Sequence, residues 1–301
     1  MAKQPRSLYG KVAVVTGGGR GIGKALAVAL TSEGCRVAIG DVDGASAEAT
    51  AAELGPNALG LDLDVTDRPG FTAFLDTVER RLGPIDVLVN NAGIMCVGPL
   101  DEEDDATAIR QLEINLHAVI HGTKEAMRRM KPRGTGHIVN IASGAGKAGA
   151  ARLATYCATK HGVVGLSEAV RAELLGTGVD VSVVMPYFVK TELAAGIKQS
   201  RSIPHSTPEQ VAEAIVDALH FNRFDVWLPK RIGPTWALSN LLPRRGRDIL
   251  ARSLKFDQAL RDADRGARAA YEERAAASAP AAESVIAETA AERDENESAA
   301  A

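Results

Sequence analysis

Short apolar, β-branched runs alternate along this chain with longer stretches in which apolar residues recur every three or four positions. The runs are Lys11 to Thr16, Arg36 to Gly40, Ala58 to Leu63, Ile85 to Val89, His137 to Ala142, Asp180 to Met185 and Asp225 to Leu228, and each predicts a strand. The helical stretches between them are KALAVALTSEG, which stops at Gly34, then Ala45 to Leu54, Arg68 to Leu82, Glu102 to Met130 and Thr155 to Leu175. Thr66 and Asp67 are cap candidates for the third helix. Thr207-Pro208-Glu209-Gln210 opens the last one with a capping box and a first-turn proline. Single helices between successive strands require parallel neighbours joined by right-handed crossovers. The pattern predicts an α/β fold: one doubly wound, seven-stranded parallel sheet in the order 3-2-1-4-5-6-7, helices on both faces, and a helical extension behind it.

That sheet domain is expected to occupy residues 1–229. From Lys230 to Lys255 the chain carries Lys230, Arg231, Arg244, Arg245, Arg247, Arg252 and Lys255 against Asp248 alone, interleaved with Trp236, Leu238, Leu241, Leu242, Ile249, Leu250 and Leu254. Residues 230–262 are therefore read as basic amphipathic helices packed on the domain or on a partner subunit, with peripheral contact to an anionic membrane through 230–255 as the alternative. Residues 263–301 are rich in Ala and Glu and read as helical through Ala277, fraying beyond Pro280 into a disordered end.

With 301 residues, 46% of them hydrophobic, the chain is long enough to bury the core of a large α/β domain. Its formal net charge of -3 gives no reason to expect nucleic-acid binding. Cys35, Cys96 and Cys157 are odd in number, far apart and without a Cys-x-x-Cys, so neither a disulfide framework nor a zinc site is expected and a reducing cytoplasm is the simplest home. Met1 to Tyr9 lacks the apolar core of a signal peptide, and no run reaches the roughly 18 apolar residues of a membrane helix. His117 and His121 are four apart, but no Glu follows His117 and no third ligand suggests itself, so no metal is expected.

The chemistry concentrates at strand ends. After Thr16 comes Gly17-Gly18-Gly19-Arg20-Gly21-Ile22-Gly23, with a strand before and a helix after. The glycines let backbone approach a phosphate, and the helix start offers unpaired N–H groups. Asp41 ends the second strand about twenty residues beyond the loop, where a carboxylate accepts hydrogen bonds from an adenosine ribose and repels a 2′-phosphate. Asp43 is the better placed to cap the next helix. Asn90-Asn91-Ala92-Gly93 closes the fourth strand. Asn115 lies midway along the long helical stretch and, if buried, needs partners. Ser143 ends the fifth strand, and Tyr156 and Lys160 stand four apart on the following helix. A tyrosine hydroxyl is a poor base near neutral pH unless a fixed positive charge favours its phenolate, and Lys160 lies one turn away.

Together these residues resemble the short-chain dehydrogenase/reductase family over roughly Lys11 to Pro229. Its Thr-Gly-x-x-x-Gly-x-Gly stands here as Thr16, Gly17, Gly21 and Gly23, its Asn-Asn-Ala-Gly as Asn90 to Gly93, and its adenine-contacting Asp-Val as Asp64-Val65. The resemblance implies a Rossmann-type domain with Asn115, Ser143, Tyr156 and Lys160 as catalytic residues. It implies a nicotinamide cofactor held by Gly17, Gly19, Arg20, Gly21, Ile22, Gly23, Asp41, Asp64, Val65, Asn91, Ala92, Gly93, Tyr156, Lys160, Pro186, Val189 and Thr191. In the family's mechanism Tyr156 exchanges the alcohol proton, Ser143 holds the substrate oxygen, Lys160 also grips the nicotinamide ribose, and Asn115 positions a water. A homodimer or homotetramer is expected.

Two departures stand out. Pro186-Tyr187 replaces the family's usual Pro-Gly, and Arg20 is a residue that often accompanies NADP; Asp41 argues for NAD, which is the expectation here. Pocket walls are expected from Ile94 to Val97, Gly144 to Leu153 and Tyr187 to Pro204, mostly small or apolar, which favours a bulky hydrophobic secondary alcohol or ketone such as a sterol, retinoid or lipid-like compound. Lys147 and Arg152 leave an anionic substrate open. The alternatives are an NADPH-dependent ketone or ketoacyl reductase and, in another class, a catalytically silent NAD-binding sensor or scaffold.

Overall fold

The structure, a computed structural model, describes residues 4–197, 205–239 and 264–277, with residues 243, 245, 246 and 260 besides. Seven strands, β1 (Val12–Thr16), β2 (Arg36–Asp41), β3 (Ala58–Asp62), β4 (Val87–Asn90), β5 (Gly136–Ile141), β6 (Val179–Pro186) and β7 (Asp225–Leu228), form one sheet in the order β3-β2-β1-β4-β5-β6-β7. Every pairing is parallel. The predicted strand order holds, and apolar runs such as VAVV in β1 suit a strand covered on both faces.

One face packs on α1 (Gly21–Ser32), α2 (Gly44–Leu54) and α7 (Pro208–Phe221), with Val15, Ile39, Val89 and Val184 meeting Leu26, Leu30 and Ile215. The other packs on α3 (Arg68–Leu82), α5 (Ala118–Met130) and α6 (Ala154–Glu173), where Phe71, Phe74 and Leu75 cover Val12, Val14 and Leu88. Each fully buried Val or Leu there contributes about 1.5–3 kcal/mol. The helix starts follow the sequence signals: Asp43 caps α2 by accepting from Ser46 N, Asp67 caps α3 by accepting from Gly70 N, and Thr207 with Gln210 forms a capping box on α7.

The single helix expected from Glu102 to Met130 is instead four pieces. A 3-10 turn (Leu100–Glu102) precedes α4 (Asp105–Leu112), which Asp104 caps; a π turn (Glu113–His117) then leads into α5. The π turn inserts an extra residue into the helical ladder, and that rotation gives the Asn115 amide its partners. His117 pairs with Glu113 at 2.8 Å, and His121 packs edge-on against Phe71.

Beyond β7, α8 (Ile232–Ser239) lays Trp236 on Trp227 with ring centroids 5.7 Å apart. Residues 240–242, 244 and 247–255 of the basic stretch, 198–204 of the expected pocket wall and 278–301 of the tail lie outside the described residues. The last described helix, α9 (Arg265–Ala277), returns to the ligand-binding end of the sheet. Among the described residues no helix is long and apolar enough to cross a membrane, and no group of three or more His, Cys, Asp or Glu is placed to hold a metal ion.

Candidate active site

A cavity of about 530 Å3 opens at the C-terminal ends of β1, β2, β4, β5 and β6, where the strand order reverses and open α/β sheets bind their ligands. Its floor is the loop into α1. Gly17 has φ +63°, and a Cβ there would lie 2.8 Å from Ala92 Cα; at Gly23 it would lie 2.2 Å from Gly17 O. Only glycine permits that approach. Asn91 Nδ2 donates to Thr16 O and Gly17 O, both at 2.9 Å, and Thr16 Oγ1 accepts from the N–H groups of Asn91 and Ala92. The end of β4 is thereby fastened to the glycine loop. The start of α1 has no side-chain cap, so its first-turn N–H groups stand ready for an anion.

Asp41 is fixed at the rim: Oδ2 accepts from Gly19 N at 2.9 Å and Oδ1 from Asp43 N at 3.1 Å. The Arg20 guanidinium pairs with Asp43 and lies 3.8 Å from Glu192. Asp64 Oδ1 accepts from both the backbone and the hydroxyl of Thr66, holding Asp64 and Val65 on the wall. Ile22, Gly93, Pro186, Val189 and Thr191 also line the cavity. Among the glycines, Gly19 and Gly23 are not on the wall: Gly19 N–H holds Asp41, and Gly23 admits the close approach of Gly17 O.

The deep end holds Ser143, Tyr156 and Lys160. Ser143 Oγ donates to Pro186 O at 3.4 Å and accepts from Ala145 N at 3.1 Å. Tyr156 and Lys160 project from the same side of α6, the Lys160 Nζ 5.7 Å from the Tyr156 ring centroid and donating to Ile141 O at 3.0 Å. Burial pushes the Tyr156 phenol up to about 12, with a hydrogen bond to Ser143 working against it, and pushes the Lys160 ammonium down to about 8. In the protein alone, burial acts against ionisation of both groups.

Asn115, fully buried in the π turn, does not line the cavity. Its Oδ1 accepts from Ile94 N and its Nδ2 donates to Ile94 O, both at 2.8 Å, which sets the backbone that carries Gly93 and Met95 past Lys160. Glu103 accepts from Gln111 and from Thr155 beside Tyr156, tying α4 to the start of α6.

Of the expected pocket walls, Ile94, Met95, Tyr187, Phe188, Leu193 and Ala194 line the cavity, while residues 144–153 do not. The ring of Tyr187 lies against Gly144. Lys147 is turned away to Glu168, at 2.8 Å. The backbone at Tyr187 needs no left-handed conformation, since among the described residues only Arg152 and Asn222 adopt positive φ without being glycine. The remaining wall, Tyr271, Arg274 and Ala275 of α9, was not expected from sequence. Arg268, Tyr271 and Ala275 share one helix face, the local signal that a helix so rich in Ala and Glu had a buried side.

A short chain dehydrogenase family profile matches residues 11–202. The chain belongs to that family. It is 39% identical to a sorbitol dehydrogenase of Cereibacter sphaeroides over 63% of this chain and 75% of that one. It is 39% identical to a 3-alpha-(or 20-beta)-hydroxysteroid dehydrogenase of Mycobacterium tuberculosis over 62% of this chain and 72% of that one. The crystal structure of a short chain dehydrogenase/reductase from Burkholderia phymatum in complex with NAD superimposes with a TM-score of 0.71 at 28% identity, covering 78% of this chain and 94% of that one. This short-chain dehydrogenase is accordingly an oxidoreductase of alcohols and ketones that uses NAD or NADP. The glycine cradle and the uncapped α1 fit the pyrophosphate of such a dinucleotide, and the rim carboxylate of Asp41 fits its ribose.

Proposed function

We propose that this short-chain dehydrogenase prefers NAD and interconverts a bulky, largely apolar secondary alcohol and its ketone, with Tyr156 as the proton-transferring group. When bound, the nicotinamide accepts or supplies the hydride. Tyr156 Oη takes the alcohol proton in oxidation and returns it in reduction. Ser143 Oγ holds the substrate oxygen beside it. Lys160, anchored on Ile141 O, supplies the nearby charge that offsets phenolate formation as the proton moves. Asn115 keeps the Ile94 backbone in place.

The observation that carries this reading is the buried Ser143-Tyr156-Lys160 group lining the same cavity as the glycine cradle. NAD preference is supported by the rim: a 2′-phosphate would face Asp41 and Asp43, while Arg20 is already committed to Asp43 and Glu192. The apolar substrate is supported by Ile94, Met95, Ile114, Phe188 and Leu193 on the walls and by the similar steroid-acting relative. A homodimer or homotetramer is supported by Ile109 and Leu112 of α4, each 37% exposed, and size-exclusion chromatography tests it.

The test is a panel of secondary alcohols and ketones, from short chains to steroids, assayed with NAD(H) and NADP(H). The proposal predicts the highest kcat/KM with NAD(H) and a bulky apolar substrate. Turnover confined to NADPH would replace it with the NADPH-dependent reductase reading, and cofactor binding without any turnover with the sensor reading.

A further inference from the structure

Helix α9 reaches the site from 176 residues further along the chain, where Met95 N donates to Tyr271 Oη at 2.8 Å. Arg268 fastens it there. Only 1% exposed, Arg268 donates to Met95 O at 2.7 Å, Ala195 O at 3.0 Å, Leu193 O at 3.1 Å and Glu272 Oε1 at 2.9 Å. One guanidinium thus binds the segment after β4 and the segment after β6 to the same helix. Asp264 N adds a bond to Gly196 O at 2.9 Å. Because a buried guanidinium released from its carbonyls is costly, α9 is a fixed wall of the cavity.

That wall carries two polar side chains, and Arg274 is already paired with Glu192 at 2.8 Å, which leaves the Tyr271 hydroxyl. Ile94, Met95, Phe188, Leu193 and Ala275 line the same cavity as Tyr271. Accepting the Met95 N–H orients the hydroxyl and leaves its own hydrogen to donate, and that hydrogen meets no acceptor among the described residues. An oriented O–H that faces the cavity without a protein acceptor is available to a ligand oxygen.

We propose that Tyr271 selects the substrate: its O–H donates to a second oxygen on the substrate, remote from the reacting carbon, so that the preferred ligands are apolar ketones or alcohols bearing one further carbonyl, hydroxyl or ether. This rests on the reading of the cavity as a cofactor-plus-ketone site. Selection of this kind is strong because a site built to donate to an oxygen leaves its donor unpaired against an analogue that lacks it.

The test uses the full chain with NAD and measures calorimetric affinity for decalin-1,5-dione and for 1-decalone, in wild type and Tyr271→Phe. Binding needs no turnover, so a catalytically silent protein still answers. The wild type is expected to bind the dione about tenfold more tightly than the monoketone, and Tyr271→Phe to lose that preference while affinity for 1-decalone and for NAD stays within twofold. Equal affinity of the wild type for the two ketones, or binding of neither, overturns the proposal. So does an equal weakening of both ketones in the variant, which marks a merely structural hydroxyl, or a tenfold loss of NAD affinity with the preference kept.

Discussion

A Cβ on Gly144 would lie 2.5 Å from the ring of Tyr187. Position 187 is where this family usually has glycine, and the bulk admitted there is accommodated by the absence of a side chain at 144. Gly144→Ala should therefore cost about 1–3 kcal/mol of stability in the wild type through overpacking, and almost nothing once Tyr187 is Gly. Thermal unfolding of the two single variants and the double variant measures the coupling; the same cost in both backgrounds would contradict the packing assigned to the pair.

Asp41→Ala removes the rim carboxylate that Gly19 and Asp43 hold in place. NADH affinity should fall and NADPH affinity rise, narrowing the preference by about tenfold or more. Fluorescence titration with both cofactors checks this. A wild type that already prefers NADPH would make Arg20 the better guide.

Lys160 yields a prediction about stability and pH. Its pKa is lowered by burial from 10.5 to about 8, so between those values the folded chain binds fewer protons than the unfolded one and this group's contribution to stability rises with pH. Below pH 8 the penalty for the buried charge is full. Lys160→Met should therefore match or exceed wild-type stability at pH 7, by up to about 3 kcal/mol less the lost bond to Ile141 O. The difference should shrink as pH rises to 10.5. Thermal melts across that range decide; a variant less stable at pH 7 would mean the ammonium is held without penalty.

Much of this was legible because its signals are local. Strand runs, the glycine loop, Asn90 to Gly93 and the Tyr156/Lys160 pair each lie within a few residues, and strand alternation with single helices leaves few topologies. The π turn at Asn115 was not legible, since its 3.6-like periodicity continues across the inserted residue and only the partner, Ile94, reveals why the ladder breaks. The packing of Tyr187 on Gly144 depends on two strand ends meeting in space. The wall from α9 depends on Arg268 and Tyr271 meeting Met95 across more than 170 residues, a separation at which composition spoke only of a polar, alanine-rich helix.

The end of the chain gives a further expectation. Ala275 is the last residue on the cavity wall among those described. Removing residues 281–301 should leave kcat/KM within twofold, whereas ending the chain at residue 264 takes away Arg268 and Tyr271 and should raise KM for the best substrate at least tenfold. Steady-state kinetics of the two truncations test this, and indifference to both would detach α9 from the site.

The most direct test is Tyr156→Phe, assayed for NADH binding by fluorescence and for ketone reduction under single-turnover conditions. The ring still fills its buried place beside Lys160, but the transferable proton is gone. NADH affinity should stay within about twofold while hydride transfer slows by about 10²–10⁴-fold. Transfer within a few fold of wild type, with NADH still bound, would contradict the assignment of Tyr156 as the proton-transferring group.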